Sequence, residues 1–254
     1  MIFKRFAAGL RAQNWQAIVI ELAIVVIGVF IGTWVANWNQ ERAEQRDIDA
    51  IVGKLDTDVT RQLATVDVNH AYYATTNRYA ATAFAGWAND PAVSDRDFVI
   101  AAYQASQVIS FVIGGQTYAM LLGADQVRKI RDEPLRDAII AMLTFDYEPI
   151  SRPAVRTRYR DDVRAVIPDS VQTAIRAECG DVTTSRGTVG LPPTCDIPVP
   201  ATIAAAGARD LRAHPELIGE LRQHHAQTST YLSNVDGLAI RLKTVQAELK
   251  RSVR

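Results

Sequence analysis

The chain has little net charge, few cysteines and few aromatic side chains. Lys plus Arg and Asp plus Glu both total 28, so the formal net charge at pH 7 is zero. Proteins that bind the phosphate backbone of nucleic acids carry clustered Lys and Arg, and this balance does not indicate such a surface. We therefore expect no nucleic-acid partner. Strand-like alternation is scarce, alanine is abundant, and glycine and proline are modest and clustered, which favours helices.

The common catalytic motifs are also missing from the sequence. It contains no Gly-x-Ser-x-Gly elbow, phosphate-binding loop, dinucleotide-binding fingerprint or zinc-protease helix. His224 and His225 are adjacent, and neighbouring residues on a helix point about 100° apart, so they do not readily share a metal ion. His70 or His214 could join one of them only through the fold. We interpret the pair as polar residues on a helix flank, and we predict no catalytic residues, cofactor or metal.

One long apolar run lies near the N-terminus. Residues 15–38 carry one formal charge, at Glu21, and reach the roughly 20 residues that a helix needs to cross a bilayer. Trp15 begins the run and Trp34 and Trp38 end it, where tryptophan prefers the membrane interface. A buried core helix is the alternative, although such helices are seldom so uniformly apolar. A cleaved signal peptide fits less well, because the run is long and no small-x-small site follows it. We predict an uncleaved transmembrane helix.

Two cysteines, Cys179 and Cys195, flank a segment with several Gly and Pro residues, which is typical of a loop. Such a pair suits a disulfide, and disulfides persist outside the cytoplasm. Two unrelated thiols are the alternative. Basic residues flank the span almost equally on both sides, so they do not orient it. The cysteine pair favours residues 1–14 as a cytoplasmic or interfacial segment and residues 39–254 as a periplasmic domain.

Small residues form a stripe along the predicted span, which we call the small-residue stripe. Gly28 and Gly32 make a Gly-x-x-x-Gly pair, Ala36 extends it by one turn, and Glu21 lies two turns before Gly28. A carboxylate inside hydrocarbon is costly and usually has a partner or a task. We predict a helix–helix contact here, with a second copy of the chain or with another membrane protein. Alternatively, Glu21 lies near the headgroups and the glycines are incidental.

The rest of the sequence predicts an all-α fold: an elongated extracytoplasmic helical bundle with a disulfide-closed loop. An apolar stripe from Ile48 to Ala80, opposite charged residues such as Asp58, predicts that one helix continues from the span to about Pro91. A similar stripe predicts a long last helix beginning at Pro215, which could pair antiparallel with the first.

Shorter helices are predicted between the two long ones. Helix starts are expected at Ser94, Asp132 and Asp169. The helix that starts at Ser94 is predicted to reach Gly114, and a short helical piece is predicted over 117–122. Asp161 and Asp162 follow a run of arginines, and we interpret this region as a solvated, salt-bridged helix face. A site for an anion or a lipid headgroup is the alternative.

Three short runs near the N-terminus carry a further signal. They read RAQNW at Arg11–Trp15, GVFIG at Gly28–Gly32 and NWNQER at Asn37–Arg42. Together they resemble a widespread bacterial group of small single-pass membrane proteins of unknown function, and the stretch Thr117–Arg136 is similar to the same group. The resemblance implies a bacterial inner membrane and a periplasmic domain. It implies no catalytic residues.

These observations predict a non-enzymatic interaction protein, an accessory subunit of a membrane assembly, with membrane lipid and a second membrane protein or a second copy as partners. A periplasmic sensor or ligand-binding module is the alternative. Because the segment before the span is too short for a signalling domain, such a sensor would relay through a membrane partner.

Overall fold

The structure of this chain is a computed structural model that describes residues 15–109, 126–151, 157–183 and 189–252. It divides into two compact units, Met1–Ile51 and Val52–Arg254. The described helices are α1 (Trp15–Trp87), α2 (Asp95–Gln104), α3 (Glu133–Leu143), α4 (Glu148–Ser151), α5 (Arg158–Val166), α6 (Asp169–Cys179), α7 (Ala201–Arg212) and α8 (Glu216–Ser252), with a 3-10 turn at Val127–Lys129. The chain is therefore mostly helical, as predicted, with one long apolar helix near the N-terminus.

Helix α1 ends where the sequence predicts, just before the Asn89-Asp90-Pro91 segment. Its last residue is Trp87, and Asn89 adopts a left-handed backbone conformation with φ of 56°. The Asp90 amide donates to the Ala85 carbonyl across 3.0 Å. Asparagine tolerates this conformation better than most residues, and the bond satisfies a carbonyl of the last turn.

Two predicted helix caps are confirmed. The Ser94 hydroxyl accepts a hydrogen bond from the Asp97 amide (3.1 Å) and donates to the Asp97 carboxylate (2.7 Å). The Asp132 carboxylate accepts from the Leu135 amide across 3.2 Å, with Pro134 in the first turn of α3. Each cap satisfies an amide that has no partner inside its own helix.

The predicted extent of α2 is wrong. The helix ends at Gln104, whereas the sequence predicts that it continues to Gly114. Ser106 gives the physical reason, because its hydroxyl donates to the Tyr103 carbonyl across 2.7 Å and offers the backbone an alternative to the helix. Gly114, Gly115 and the helical piece predicted over 117–122 lie outside the described residues.

The cap predicted at Asp169 is also wrong, because Asp169 is the first residue of α6 and Pro168 takes the cap position without a side-chain hydrogen bond. A carboxylate in the first turn still interacts favourably with the helix dipole. The sequence did not indicate the cap of α5, where the Thr157 hydroxyl accepts from the Arg160 amide across 3.2 Å.

In the second unit, α8 and the part of α1 after Val52 run antiparallel, as predicted. Gln246 donates to Thr60, Tyr231 to Asn69, and Thr228 to Asn77. Residues later in α8 therefore contact residues earlier in α1. Between these polar contacts, apolar side chains of the two predicted stripes are buried: Leu55, Val59, Val66, Ala80, Leu217, Leu221, Val235, Leu242, Val245 and Leu249. Asp58, predicted on the charged face, is instead buried and pairs with Arg61 at 3.4 Å.

A second group of buried side chains joins the end of α1 to α2 and α7. The Trp87 indole donates to the Leu211 carbonyl across 3.1 Å, and its ring meets Phe98 edge to face at 5.0 Å between centroids. Phe98 lies against Gly86, where an added Cβ would approach the Phe98 ring to 2.1 Å. A residue without a side chain is therefore required at Gly86 for α2 to pack this closely on α1.

Candidate functional site

The apolar part of α1 in the first unit is exposed. An 18-residue window of it has a mean hydropathy of 2.4, and none of that window is buried. Within the part of the chain that the structure describes, this is the one helix long and apolar enough to cross a membrane. Its exposure contradicts the alternative of a buried core helix, because the described residues do not cover it.

The small-residue stripe lies on this exposed helix. Glu21, Gly28, Gly32 and Ala36 are all exposed and share one face at helical spacing. A Cβ placed at Gly28 or Gly32 would meet no atom within 4 Å. The stripe is therefore open to the close approach of another helix, and the predicted helix–helix contact stays a prediction.

Aromatic residues mark the two ends of the apolar run. Trp15 is exposed at the beginning, and Trp34 and Trp38 stack at 6.5 Å between ring centroids at the other end. The Arg42 guanidinium lies 3.7 Å from the centre of the Trp38 ring. A cation over an indole face combines two groups that favour the membrane–water interface. The role of these tryptophans as interfacial anchors stays a prediction.

The predicted disulfide is confirmed. Cys179, the last residue of α6, is bonded to Cys195, with 5.4 Å between their Cα atoms. The predicted loop between them contains two short strands, β1 (Val182–Thr183) and β2 (Val189–Gly190), which pair antiparallel. Both strands contain β-branched residues, which favour extended backbone. The Gln104 amide donates to the Cys179 carbonyl across 2.7 Å and ties this region to α2.

Tyrosines fill much of the interior of the second unit, among them the buried Tyr72 and Tyr73 and the partly buried Tyr79. The Tyr72 hydroxyl donates to Asp181 and the Tyr79 hydroxyl to the Pro192 carbonyl, both across 2.9 Å. The Tyr73 hydroxyl donates to the Ile109 carbonyl across 2.6 Å, and burial raises the pKa of Tyr73 to about 12. These phenols stay protonated at neutral pH and act as hydrogen-bond donors.

The charged segment around α5 divides into an outer and an inner face. On the outer face Arg158 pairs with Asp162 at 3.6 Å, as predicted. On the inner face Arg160 donates to the Ser106 carbonyl (2.7 Å) and Arg164 to the Gln107 side chain (2.9 Å). Burial and the neighbouring Arg160 lower the pKa of Arg164. The inner arginines therefore hold the segment after α2 in place. Two arginines of the run predicted before Asp161, Arg152 and Arg156, lie outside the described residues.

The interpretation of both histidines as flank residues is wrong for His224. His225 is half-buried, but His224 lies in the apolar stripe of α8 with 2% of its surface exposed. Burial lowers the pKa of His224 to about 4, so the ring is neutral at pH 7. Its spacing of three residues from Leu221 and four from Thr228 could have indicated burial, because these residues share one helix face.

Glu220 is a further residue that the sequence did not indicate. It lies one turn before His224 on α8, and its carboxylate pairs with Arg158 of α5 at 3.1 Å. Burial and the nearby Asp162 carboxylate raise the pKa of Glu220. Glu220 and His224 line a pocket between α5 and α8, which places two titratable side chains in one concave site.

Across the described ranges, no group of three or more His, Cys, Asp or Glu residues could hold a metal ion.

The resemblance of the N-terminal runs to bacterial single-pass proteins stays a prediction. Comparison of the chain with protein-family models, with curated proteins and with solved structures finds no match.

Proposed function

We propose that this protein is a non-enzymatic interaction protein of the bacterial inner membrane, anchored by residues 15–38 and acting as an accessory subunit of a membrane assembly. The observation that carries the proposal is the open stripe of Gly28, Gly32 and Ala36 on an exposed apolar helix. In lipid, helices associate through close packing of small residues and through polar contacts, and this face offers both.

The exposed side chains of α1 support the proposed membrane anchor. Large apolar residues between Val19 and Val35 are between 39% and 71% exposed. Moving such a side chain from water into an apolar environment stabilises by roughly 1.5–3 kcal/mol when burial is complete. A run of them gives a strong preference for the bilayer core over water, and the tryptophans at both ends suit the interface.

The disulfide supports a periplasmic position for the second unit. Cys179 and Cys195 form their bond readily in an oxidising compartment, whereas the cytoplasm keeps thiols reduced. With the second unit outside, the residues before Trp15 are cytoplasmic. The resemblance to bacterial single-pass proteins points to the same placement.

Glu21 gives the proposed contact a polar component. Its side chain is exposed on the same face as Gly28 and lies two turns away. An ionisable residue in a span usually faces a partner, since lipid cannot satisfy its hydrogen bonds. A partner helix with a donor at the matching depth is therefore expected, either in another membrane protein or in a second copy of this chain.

Native electrophoresis after extraction in a mild detergent, followed by mass spectrometry, tests the proposal. The wild-type chain should migrate in a particle larger than one chain. The double variant Gly28→Leu, Gly32→Leu should migrate as a single chain, because leucine side chains keep the two backbones apart. The matched control Ala23→Leu, Phe30→Leu alters the roughly opposite face, at about 100° per residue, and should behave as wild type. Full association of the Gly28→Leu, Gly32→Leu variant would show that the small-residue stripe does not mediate association.

A further inference from the structure

A small pocket lies between the start of α5 and one face of α8. It encloses about 180 Å³. That is less than the roughly 300–1,000 Å³ of sites for drug-sized ligands, and more than the roughly 30 Å³ that one water occupies in the liquid. The lining residues are Thr157, Arg158 and Tyr159 from α5 and Glu220, Gln223, His224 and Gln227 from α8. The pocket has room for a small organic molecule.

Two side chains in this lining have buried polar atoms that lack a partner: His224 is itself buried, and the Glu220 side chain is 13% exposed. Among the described residues, the Oε2 atom of Glu220 and both ring nitrogens of His224 are buried without a hydrogen bond of ordinary geometry. The Ala105 backbone is nevertheless close enough to His224 to favour its protonated form, and the Asp162 carboxylate is close enough to Glu220 to raise its pKa. Buried polar groups in folded proteins nearly always have partners, so orphaned ones indicate a water or a ligand at the site.

Both orphaned groups accept hydrogen bonds. A carboxylate oxygen has lone pairs and no proton. The neutral His224 ring has one N–H and one lone pair, and an N–H turned to Ala105 leaves the lone pair for the pocket. Glu220 and His224 are four residues apart on α8, a spacing that brings side chains together on one face. A single donor group can therefore reach both.

The charges around the pocket favour a cation as that donor. Three carboxylates act on the site, from Glu220, Asp162 and Glu216, against the two guanidinium groups of Arg158 and Arg160. The rings of Tyr159 and His224 lie 5.7 Å apart at 32° and form an aromatic wall. Aromatic faces attract ammonium groups, and the ring surfaces suit a short alkyl chain.

We propose that this pocket binds a small primary amine, whose ammonium group donates hydrogen bonds to Glu220 and His224 while its alkyl chain lies against Tyr159. The proposal does not depend on the membrane anchor or on the association of the span. It assigns the second unit a ligand of stated chemistry, in addition to a partner in the membrane.

Titration calorimetry on the full-length chain in mild detergent at pH 7 tests the pocket, with n-propylamine as probe and 1-propanol as its uncharged counterpart. Propylamine should bind and propanol should not, because only the ammonium matches the two acceptors. Glu220→Gln should weaken propylamine binding at least tenfold. Asp236→Asn, an exposed position on the same helix away from the pocket, should leave it unchanged.

His224→Phe gives a second variant, since it keeps a ring at the site and removes the acceptor; it too should weaken binding at least tenfold. Thermal unfolding checks that both variants fold. If neither does, the His224 ring signals of the wild-type chain should shift in NMR spectra when propylamine is added. Absence of propylamine binding, or equal binding by wild type and Glu220→Gln, would overturn the proposal. Water molecules would then be the partners of Glu220 and His224 in the pocket.

Discussion

The aromatic rings of Tyr73 and Tyr231 lie 4.2 Å apart between centroids and join the two long helices of the second unit. Tyr73 comes from α1 and Tyr231 from α8, and both are buried. The Tyr73 hydroxyl also donates to the Ile109 carbonyl and accepts from the Ile109 amide. The Tyr73 side chain thus connects α1, α8 and the segment that follows α2. Its removal should therefore lower the stability of the whole second unit.

Tyr73→Ala should lower the free energy of unfolding by about 4 kcal/mol, because it leaves a large cavity in the core. Tyr73→Phe should cost about 1–2 kcal/mol, since it keeps the ring and removes the hydrogen bonds to Ile109. Urea denaturation followed by circular dichroism measures both values. Ile240→Ala is the matched control, because Ile240 is an exposed residue of α8 and should change stability by less than about 0.5 kcal/mol. Equal effects of Tyr73→Ala and Ile240→Ala would contradict the proposed role.

Gly86→Ala should destabilise the second unit by about 1–3 kcal/mol or more, because the new methyl group overlaps the Phe98 ring. Gly219→Ala provides the opposite case within the same unit. A Cβ at Gly219 meets nothing within 4 Å, so alanine should stabilise α8 by about 0.5–1 kcal/mol through its better helix propensity. Thermal unfolding of the two variants should move the midpoint in opposite directions. An unchanged or raised midpoint in Gly86→Ala would show that the close packing of α2 on α1 is not as described.

Removal of the disulfide by Cys179→Ala, Cys195→Ala should lower the free energy of unfolding by about 3 kcal/mol, the value for a loop of about this length. The expected cause is the larger conformational freedom of the unfolded chain without its cross-link. Denaturation of the wild-type chain with and without a reducing agent measures the same difference. The double alanine variant should be insensitive to reduction. A wild-type chain whose stability does not change on reduction would contradict this prediction.

Stability should fall as the pH is lowered from about 6.5 toward about 4, and His224 should cause a defined part of the fall. Its pKa is lowered to about 4 by burial in the folded chain, whereas an exposed histidine titrates near 6.5. Between these values unfolding takes up a proton, so acid favours the unfolded state. The contribution of His224 should be about 3 kcal/mol over that range.

Denaturation at a series of pH values should show this His224 contribution as the difference between the wild-type chain and His224→Phe. His225→Gln is the control, because it changes the adjacent half-buried histidine and should keep the acid sensitivity. If His224→Phe has the same pH dependence as the wild-type chain, His224 is not buried as a neutral ring.

Features that depend on local sequence could be predicted. The end of α1 before Pro91, the caps at Ser94 and Asp132, and the Cys179–Cys195 bond each follow from residues close together in the chain or from a constrained pair. The small-residue stripe is of the same kind, because helical spacing alone places its members on one face.

Features that depend on distant contacts could not be predicted. The strands β1 and β2 are two residues each and exist only through their pairing. The Arg160 side chain points to the interior because it donates to the Ser106 carbonyl, which lies more than fifty positions earlier in the chain. The pocket at Glu220 and His224 needs α5 against α8, which no local pattern of either helix indicates.

The position of the chain relative to the membrane tests the central claim most directly. Membranes from a bacterium that produces the full-length chain are washed with alkaline carbonate, and intact spheroplasts are treated with protease. The account predicts that the chain stays in the washed membrane and that protease added outside the spheroplasts digests the second unit, Val52–Arg254. Release of the chain by carbonate, or protection of the second unit until the spheroplasts are lysed, would contradict an inner-membrane anchor with a periplasmic domain.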